Sequence, residues 1–388
     1  MQLYFSSISQ RAGYMKFFLT KLHRRSLHLG EHFVRGSVKE IELRSAVSLA
    51  GRKYLPSSHV PNFPKFLSGP RENYPYFVKA QNGEEAALEH WAKRSREVIE
   101  EAYEKYEADG SAVAILFRGL PVRNANDFSL WANNLGFEKF RYVGGTAPRN
   151  EIEENIAEGA LDEKEFSIEP HSEMAYSVRY PKIFTMGSFK TAPWGGETAM
   201  CDVRQVFAQL EPSFVEKCEE KGVRYWHYLP DEKSGQQGKI FQSWQMQFIT
   251  KDRGEVEAYL KENGYSYEWE KDCLFYWNNL PPFISHARTG EQLWFNQVTA
   301  NHCSYHASSP HFEGIKLPNK KYPFHTTYGD GEEFEEGLVD EHRRVTWESA
   351  VAFQWQDGDV LFLDQLIVQH SRLSFKGNRE VGISLLNY

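Results

Sequence analysis

The sequence predicts a mainly β fold, a sandwich or barrel with helices outside it. Three observations carry this. Past residue 180, short apolar stretches recur between Gly, Pro and Asp turns. Ahead of them lies one well-marked amphipathic helix. The longest wholly apolar runs, such as 112–117 and 360–363, are only a handful of residues, far short of the roughly 20 needed to cross a bilayer. At 388 residues, with 41% hydrophobic and 25% charged, the chain is neither disordered nor fibrous and is long enough for one elaborated domain.

Residues 83–106 read as a helix, because Ala86, Leu88, Trp91, Val98, Ile99 and Tyr103 keep a helical period among charged residues. The run stops near Ala108-Asp109-Gly110. Residues 112–120 read as a buried strand and 126–135 as a short helix opened by an Asn/Asp cap. Strands are expected at 182–189, 223–228, 273–277, 293–298, 351–355, 360–364 and 380–386, with helical candidates at 203–209 and 254–263. The stretch 307–344, rich in Pro, Gly, His and charge, reads as a long surface excursion rather than a second domain. The aromatic cluster Tyr225-Trp226-His227-Tyr228, with Trp244, Trp269 and Trp277, reads as core. Gly144-Gly145 and Gly195-Gly196 read as turn glycines, without the spacing of a nucleotide loop. The organisation expected is a basic segment at 1–35 and one domain at 36–388, with an insertion or lid at about 203–345.

Charge is uneven along the chain. Residues 1–30 hold five of the 45 basic residues and no acid, whereas the remainder sets 40 bases against 53 acids. A Ser-bearing, acid-free, basic start resembles an organelle transit peptide, and an amphipathic first helix has the same look. The expected location is therefore the cytoplasm, or a plastid or mitochondrion if the segment is a transit peptide. The acidic remainder argues against nucleic acid as a partner, since no Lys/Arg face is dense enough to displace phosphate counterions. Cys201, Cys218, Cys273 and Cys303 are too scattered for a disulfide scaffold, and none falls in a CxxC pair. A small molecule is the expected partner, with no membrane association.

A histidine followed two places later by a carboxylate suits a mononuclear metal, because on a strand residues i and i+2 face one side. Chance alone predicts about two such matches for 14 His and 53 acids, and two occur, at His171-Ser172-Glu173 and His311-Phe312-Glu313. Context separates them. The first lies in Glu169-Pro170-His171-Ser172-Glu173-Met174-Ala175-Tyr176, followed by Gly195-Gly196-Glu197-Thr198 and, near the C-terminus, by Asp364-Gln365 and His370-Ser371-Arg372 with Arg379 beyond. His171, Glu173 and His370 form a candidate 2-His-1-carboxylate facial triad, which leaves positions on Fe(II) open for a bidentate ligand and dioxygen. Arg379 then suits a dicarboxylic co-substrate, with the Thr198 hydroxyl as a supporting donor. The second match has no such companions and reads as a solvated loop.

These motifs resemble the Fe(II)/2-oxoglutarate dioxygenases of the taurine dioxygenase (TauD/TfdA) type, in particular the clavaminate-synthase-like branch, which uses HxE where taurine dioxygenase uses HxD. The resemblance extends to Tyr142-Val143-Gly144-Gly145-Thr146-Ala147-Pro148-Arg149, to 170–202 and to His286-Ala287-Arg288-Thr289-Gly290-Glu291-Gln292-Leu293-Trp294-Phe295-Asn296-Gln297, and covers roughly 110–388. It implies an α+β, mainly β, double-stranded β-helix (jelly-roll, cupin-like) core with flanking helices. It implies Fe(II), 2-oxoglutarate and O2 as cofactors, and oxidation of an unactivated C–H bond of a small amino acid or derivative, by hydroxylation, desaturation or cyclisation, with release of succinate and CO2. Substrate-binding candidates are Tyr142, Met174, Asn296 and Arg372. Two departures stand out: Ser371 replaces the Gly of the family's HGR, and Arg379-Glu380 stands where many relatives have two arginines, which makes Arg372 the reserve co-substrate clamp.

Other readings compete. A protein hydroxylase or demethylase would share the triad, and a non-catalytic metal-binding sensor would share the scaffold. His302 and His306, four apart, could share a helix face and bind zinc, but the glutamate of HExxH is absent and a structural role is preferred.

Overall fold

The computed structural model describes residues 29–82, 86–142, 150–160, 162–234 and 241–388. The transit-peptide reading of the basic start, and Val143 to Arg149 with their glycine pair, lie outside the described residues.

Helix α1 (Leu88–Asp109) buries Trp91, Val98, Ile99 and Tyr103 on one face and ends where Gly110 turns left-handed at φ 72°. Helix α2 (Ala125–Asn134) begins where the Asn124 side chain accepts from Asp127 N, the cap expected from sequence. The Trp131 indole donates to Ser95 at 3.1 Å and ties α2 to α1.

Eight strands form the jelly roll: β1 (Ile156–Glu158), β2 (Ile168–His171), β3 (Ile183–Lys190), β4 (Ala199–Asp202), β5 (Val351–Ala352), β6 (Val360–Asp364), β7 (Val368–Arg372) and β8 (Glu380–Asn387). The larger sheet runs β6-β3-β8-β1 at its centre and the smaller β5-β4-β7-β2. The chain thus alternates between sheets from β1 to β4 and again from β5 to β8, the strand order of a double-stranded β-helix. The larger sheet is extended past β6 by Ala114–Arg118, Tyr76–Ala80 and Phe33–Arg35. Its core strands are mostly apolar and buried on both faces: all five residues of β6, the terminal Asp364 included, are buried.

Between β4 and β5 the chain builds a further, four-stranded sheet in the order Ser266–Glu270, Cys273–Leu280, Val223–Leu229, Phe324–Tyr328. Val223, Tyr225 and Tyr328 share one apolar cluster with Ala199 and Cys201 of β4 and Ala352 of β5, so the insertion packs onto the smaller sheet. Its aromatic residues are core only in part. Tyr225, Trp226 and Tyr228 are buried, whereas Trp269 and Trp277 are half-buried, with Trp277 against Trp226 at 4.7 Å.

The expectation of a surface excursion at 307–344 holds for the mostly exposed 313–321 but not beyond it. Phe324–Tyr328 pairs with Val223–Leu229, and α3 (Leu338–Ser349) carries the buried Arg343. The polar residues there are buried because they are bonded: Thr326 donates to Val298 O at 2.7 Å, and Arg343 pairs with Glu169 at 2.7 Å. Two predicted strands are also shorter than expected. Only Gln292–Trp294 and Val351–Ala352 pair; beyond them Val298 N donates to Asn296 Oδ1 and Gln354 N to Ile41 O, outside the ladders.

Candidate metal centre

The centre is set by the pairing of β2 with β7, in which His171 and His370 stand directly opposite. Cross-strand partners share a face, so both imidazoles point the same way, with ring centroids 4.5 Å apart. His171 Nδ1 lies 2.9 Å from Glu169 O, which fixes it as the N–H donor and leaves Nε2 free to ligate. That Nε2 is 3.8 Å from Glu173 Oε2. The i, i+2 strand geometry expected for this pair is corrected. Pairing stops at His171, and a turn with Met174 at φ 58°, a conformation rare without a functional constraint, swings Glu173 round to the imidazoles.

Supports surround each ligand. Gln365 brackets Glu173, its Oε1 accepting from Glu173 N at 2.5 Å and its Nε2 donating to Glu173 O and Pro181 O. The Phe184 ring stacks on His370 at 3.7 Å. Gln297 donates to Ser172 O at 2.5 Å, and Tyr225 OH accepts from Gln297 N, so the insertion sheet braces the metal loop. Ser371 accepts from Ala199 N at 3.0 Å where the β2–β7 register shifts, giving the hydroxyl a structural use in place of glycine. Sequence reasoning singled out none of Gln365, Gln297 and Glu169 for these bracing roles. Their adjacency to Asp364, Asn296 and Pro170 in the quoted motifs was the available signal.

Thr198 lies two residues before Met200, the β4 partner of His370, and therefore on the same face of the sheet. Its Oγ1 accepts from the Trp355 indole at 3.2 Å. Arg379 lines a small cavity with Gly195, Gly196, Glu197, Phe353 and Trp355. Burial, with Arg372 adding to it and Glu197 opposing, pushes the guanidinium down to about 10, an environment that would gain from an anionic ligand. Gly195 and Gly196 both have positive φ, and a Cβ on Gly196 would meet Arg379 Cδ at 3.1 Å, so the cradle requires glycine.

The remaining candidates are placed as follows. Arg372 donates to the carbonyls of Ala160, Asp162, Glu163 and Phe166, which commits it to the loop entering β2. Asn296 donates to Pro282 O and accepts from Val298 N, both at 3.2 Å. Tyr142 packs half-buried between the two main apolar clusters, and Met174 is buried beside Tyr176. His311 pairs with Glu163 at 2.6 Å and Glu313 with Tyr54 at 2.8 Å, surface contacts away from the triad. His302 caps the helix Cys303–Ala307 and packs on His325, whereas His306 packs on Phe324, and the two do not converge as ligands.

The donor set of two imidazoles and one carboxylate, with N/O chemistry and a carbonyl-fixed tautomer, fits Fe(II). Among the described residues no helix is long and apolar enough to cross a membrane.

A family model described as taurine catabolism dioxygenase TauD, TfdA family matches residues 72–383. The chain is 28% identical over 277 residues to dapdiamide synthesis protein DdaC of Enterobacter agglomerans, covering 71% of this chain and 82% of that protein. It is 30% identical over 278 residues to a clavaminate synthase-like protein of Arabidopsis thaliana, covering 70% of this chain and 81% of that one. Among solved structures, an asparagine oxygenase in complex with Fe(II), hydroxyasparagine and succinate aligns at TM-score 0.45 and 12% identity, over 80% of this chain and 93% of that one.

Proposed function

Because the chain belongs to the TauD, TfdA family of dioxygenases, we propose that it oxidises an unactivated C–H bond of a small amino acid or amino-acid-derived substrate, by hydroxylation, desaturation or oxidative cyclisation, with release of succinate and CO2. Fe(II), 2-oxoglutarate and O2 are the cofactors, and together they supply the oxidising power for hydrogen removal from carbon. The observation that carries the site assignment is the register of His171 against His370, with Glu173 turned in beside them.

The chain's own work is orientation. His171, Glu173 and His370 hold the iron, each fixed by a neighbour: Glu169 O, the Gln365 amide and the Phe184 ring. Arg379 takes the far carboxylate of 2-oxoglutarate, since its charge is buried and its cradle is built of glycine, and Thr198 assists from beside Trp355. Arg372, spent on four carbonyls, holds the entrance to β2. The chain from 36 onward acts as one catalytic domain, with 203–345 as the lid that covers the substrate. The names of the two curated relatives support a small-molecule substrate. The four unpaired cysteines fit a reducing compartment, cytoplasmic or organellar.

The test is a screen of amino acids and small acids for substrate-dependent succinate release from the iron-loaded protein, followed by mass analysis of the product. Expected is a product heavier by one oxygen, lighter by two hydrogens, or cyclised. Turnover with peptides alone would overturn the substrate class.

A further inference from the structure

Among the described residues two sets of three potential ligand atoms lie within 4.8 Å of one another: the triad above, and His302, Cys303 and His325. The second set joins distant segments. Cys303 opens the helix Cys303–Ala307, His302 caps it, and His325 lies on the strand Phe324–Tyr328. Cys303 Sγ stands 3.9 Å from His302 Nδ1, and the two imidazole centroids are 4.9 Å apart.

We propose that His302, Cys303 and His325 bind a zinc ion that staples the helix Cys303–Ala307 to the strand Phe324–Tyr328. Three features support it. The first is the donor set, since a thiolate with two imidazoles selects a borderline-soft divalent ion. The second is the backing of His325: its Nε2 lies 2.9 Å from Glu333 Oε2, which fixes the tautomer and turns Nδ1 towards Cys303. A carboxylate behind a ligating histidine is the usual support for such a ligand. The third is need, because the apolar cluster under this segment holds only Cys303, Phe312 and Tyr322 as buried members, and a core that small gains from a metal cross-link.

Charge and geometry both close. The Cys303 thiolate and the Glu333 carboxylate balance a dication, and the nearby Arg343 is already neutralised by Glu169 at 2.7 Å. Bonds of about 2.3 Å to sulfur and about 2.0 Å to nitrogen set tetrahedral donors roughly 3.3–3.5 Å apart, so the ion draws the donors together by a few tenths of an ångström or more. Without the ion the donors fall back on weaker partners: His302 Nδ1 on Ser304 at 2.7 Å, and His325 Nδ1 on Cys303 N at 3.4 Å. Three protein donors converge, so an exogenous ligand would complete the tetrahedral shell.

Cobalt(II) is the probe, since it enters both clusters but meets a thiolate only here. The full chain, stripped and reloaded with cobalt, is expected to show thiolate-to-cobalt charge-transfer absorption that saturates at one equivalent beyond the iron cluster. C303S and H325Q should each lose that absorption and one equivalent of metal, whereas H306Q and H171A should keep the absorption. Should C303S or H325Q fail to fold, the unmodified protein decides alone. Absence of the charge-transfer absorption in the fully loaded protein, or its persistence in C303S, overturns the assignment.

Discussion

The two histidine clusters use the same number of ligands and hold them differently. His171 and His370 are locked by strand register in the smaller sheet, and Glu173 is clamped by a side-chain amide. His302, Cys303 and His325 sit on a helix cap and a sheet-edge strand of the insertion, over an apolar cluster of three buried residues. On the proposed assignments the jelly roll holds an oxygen-and-nitrogen set with positions left for co-substrate, and the insertion a sulfur-bearing set that cross-links two of its elements. Exchanging one carboxylate for one thiolate changes the ion each set suits, Fe(II) for the first and a borderline-soft divalent ion for the second.

The largest expected effect comes from removing a ligand of the first cluster. H171A or H370A should abolish tight Fe(II) binding and succinate release, because a site with two protein ligands loses both affinity and geometry, while H311A should be nearly silent. Iron-binding titration of the three variants checks this. E173D comes next: the shorter side chain retracts the oxygen by more than the roughly 0.5 Å that a preorganised site tolerates, so activity should drop sharply with an unchanged circular dichroism spectrum.

The co-substrate end sharpens the contrast between Arg379 and Arg372. R379A is expected to raise the 2-oxoglutarate requirement by about a hundredfold, since a buried carboxylate contact is lost. R372A should instead lower thermal stability, because four carbonyls lose their donor, and leave that requirement nearly unchanged in the folded fraction. Reversed outcomes in steady-state kinetics would make Arg372 the clamp. Q365A should weaken iron about 10- to 100-fold by releasing the backbone of Glu173 and Pro181 O. The smallest effect is expected for W355F, which removes one hydrogen bond to Thr198 and should raise the apparent KM for 2-oxoglutarate roughly two- to tenfold.

Strands that are long and apolar were legible in the sequence. β3, β6 and β8 fall within a residue or two of expectation because their apolar residues dominate and both faces of each are covered. β2 and β4 were not legible: each has four residues, β2 contains Pro170 and ends in the ligand His171, and pairing with neighbours far along the chain, β7 for both and β5 for β4, makes them strands. Phe324–Tyr328 was missed for a related reason, since its buried residues include His325, Thr326 and Thr327, whose polarity is satisfied by Glu333, Val298 O and the Trp226 indole. The candidate ligands were legible as residue types in order. Their supports were not, because Gln365 reaches Glu173 across 192 positions.

The most direct measurement is an anaerobic titration of the metal-free protein with Fe(II) and then 2-oxoglutarate, followed by visible absorption. Chelation of the iron by the keto acid should produce a metal-to-ligand charge-transfer band at one iron per chain, lost in H370A, shifted to higher 2-oxoglutarate in R379A and retained in C303S. A protein that gives no such band, or an H370A variant that keeps it, would contradict the assignment of His171, Glu173 and His370 as the iron centre.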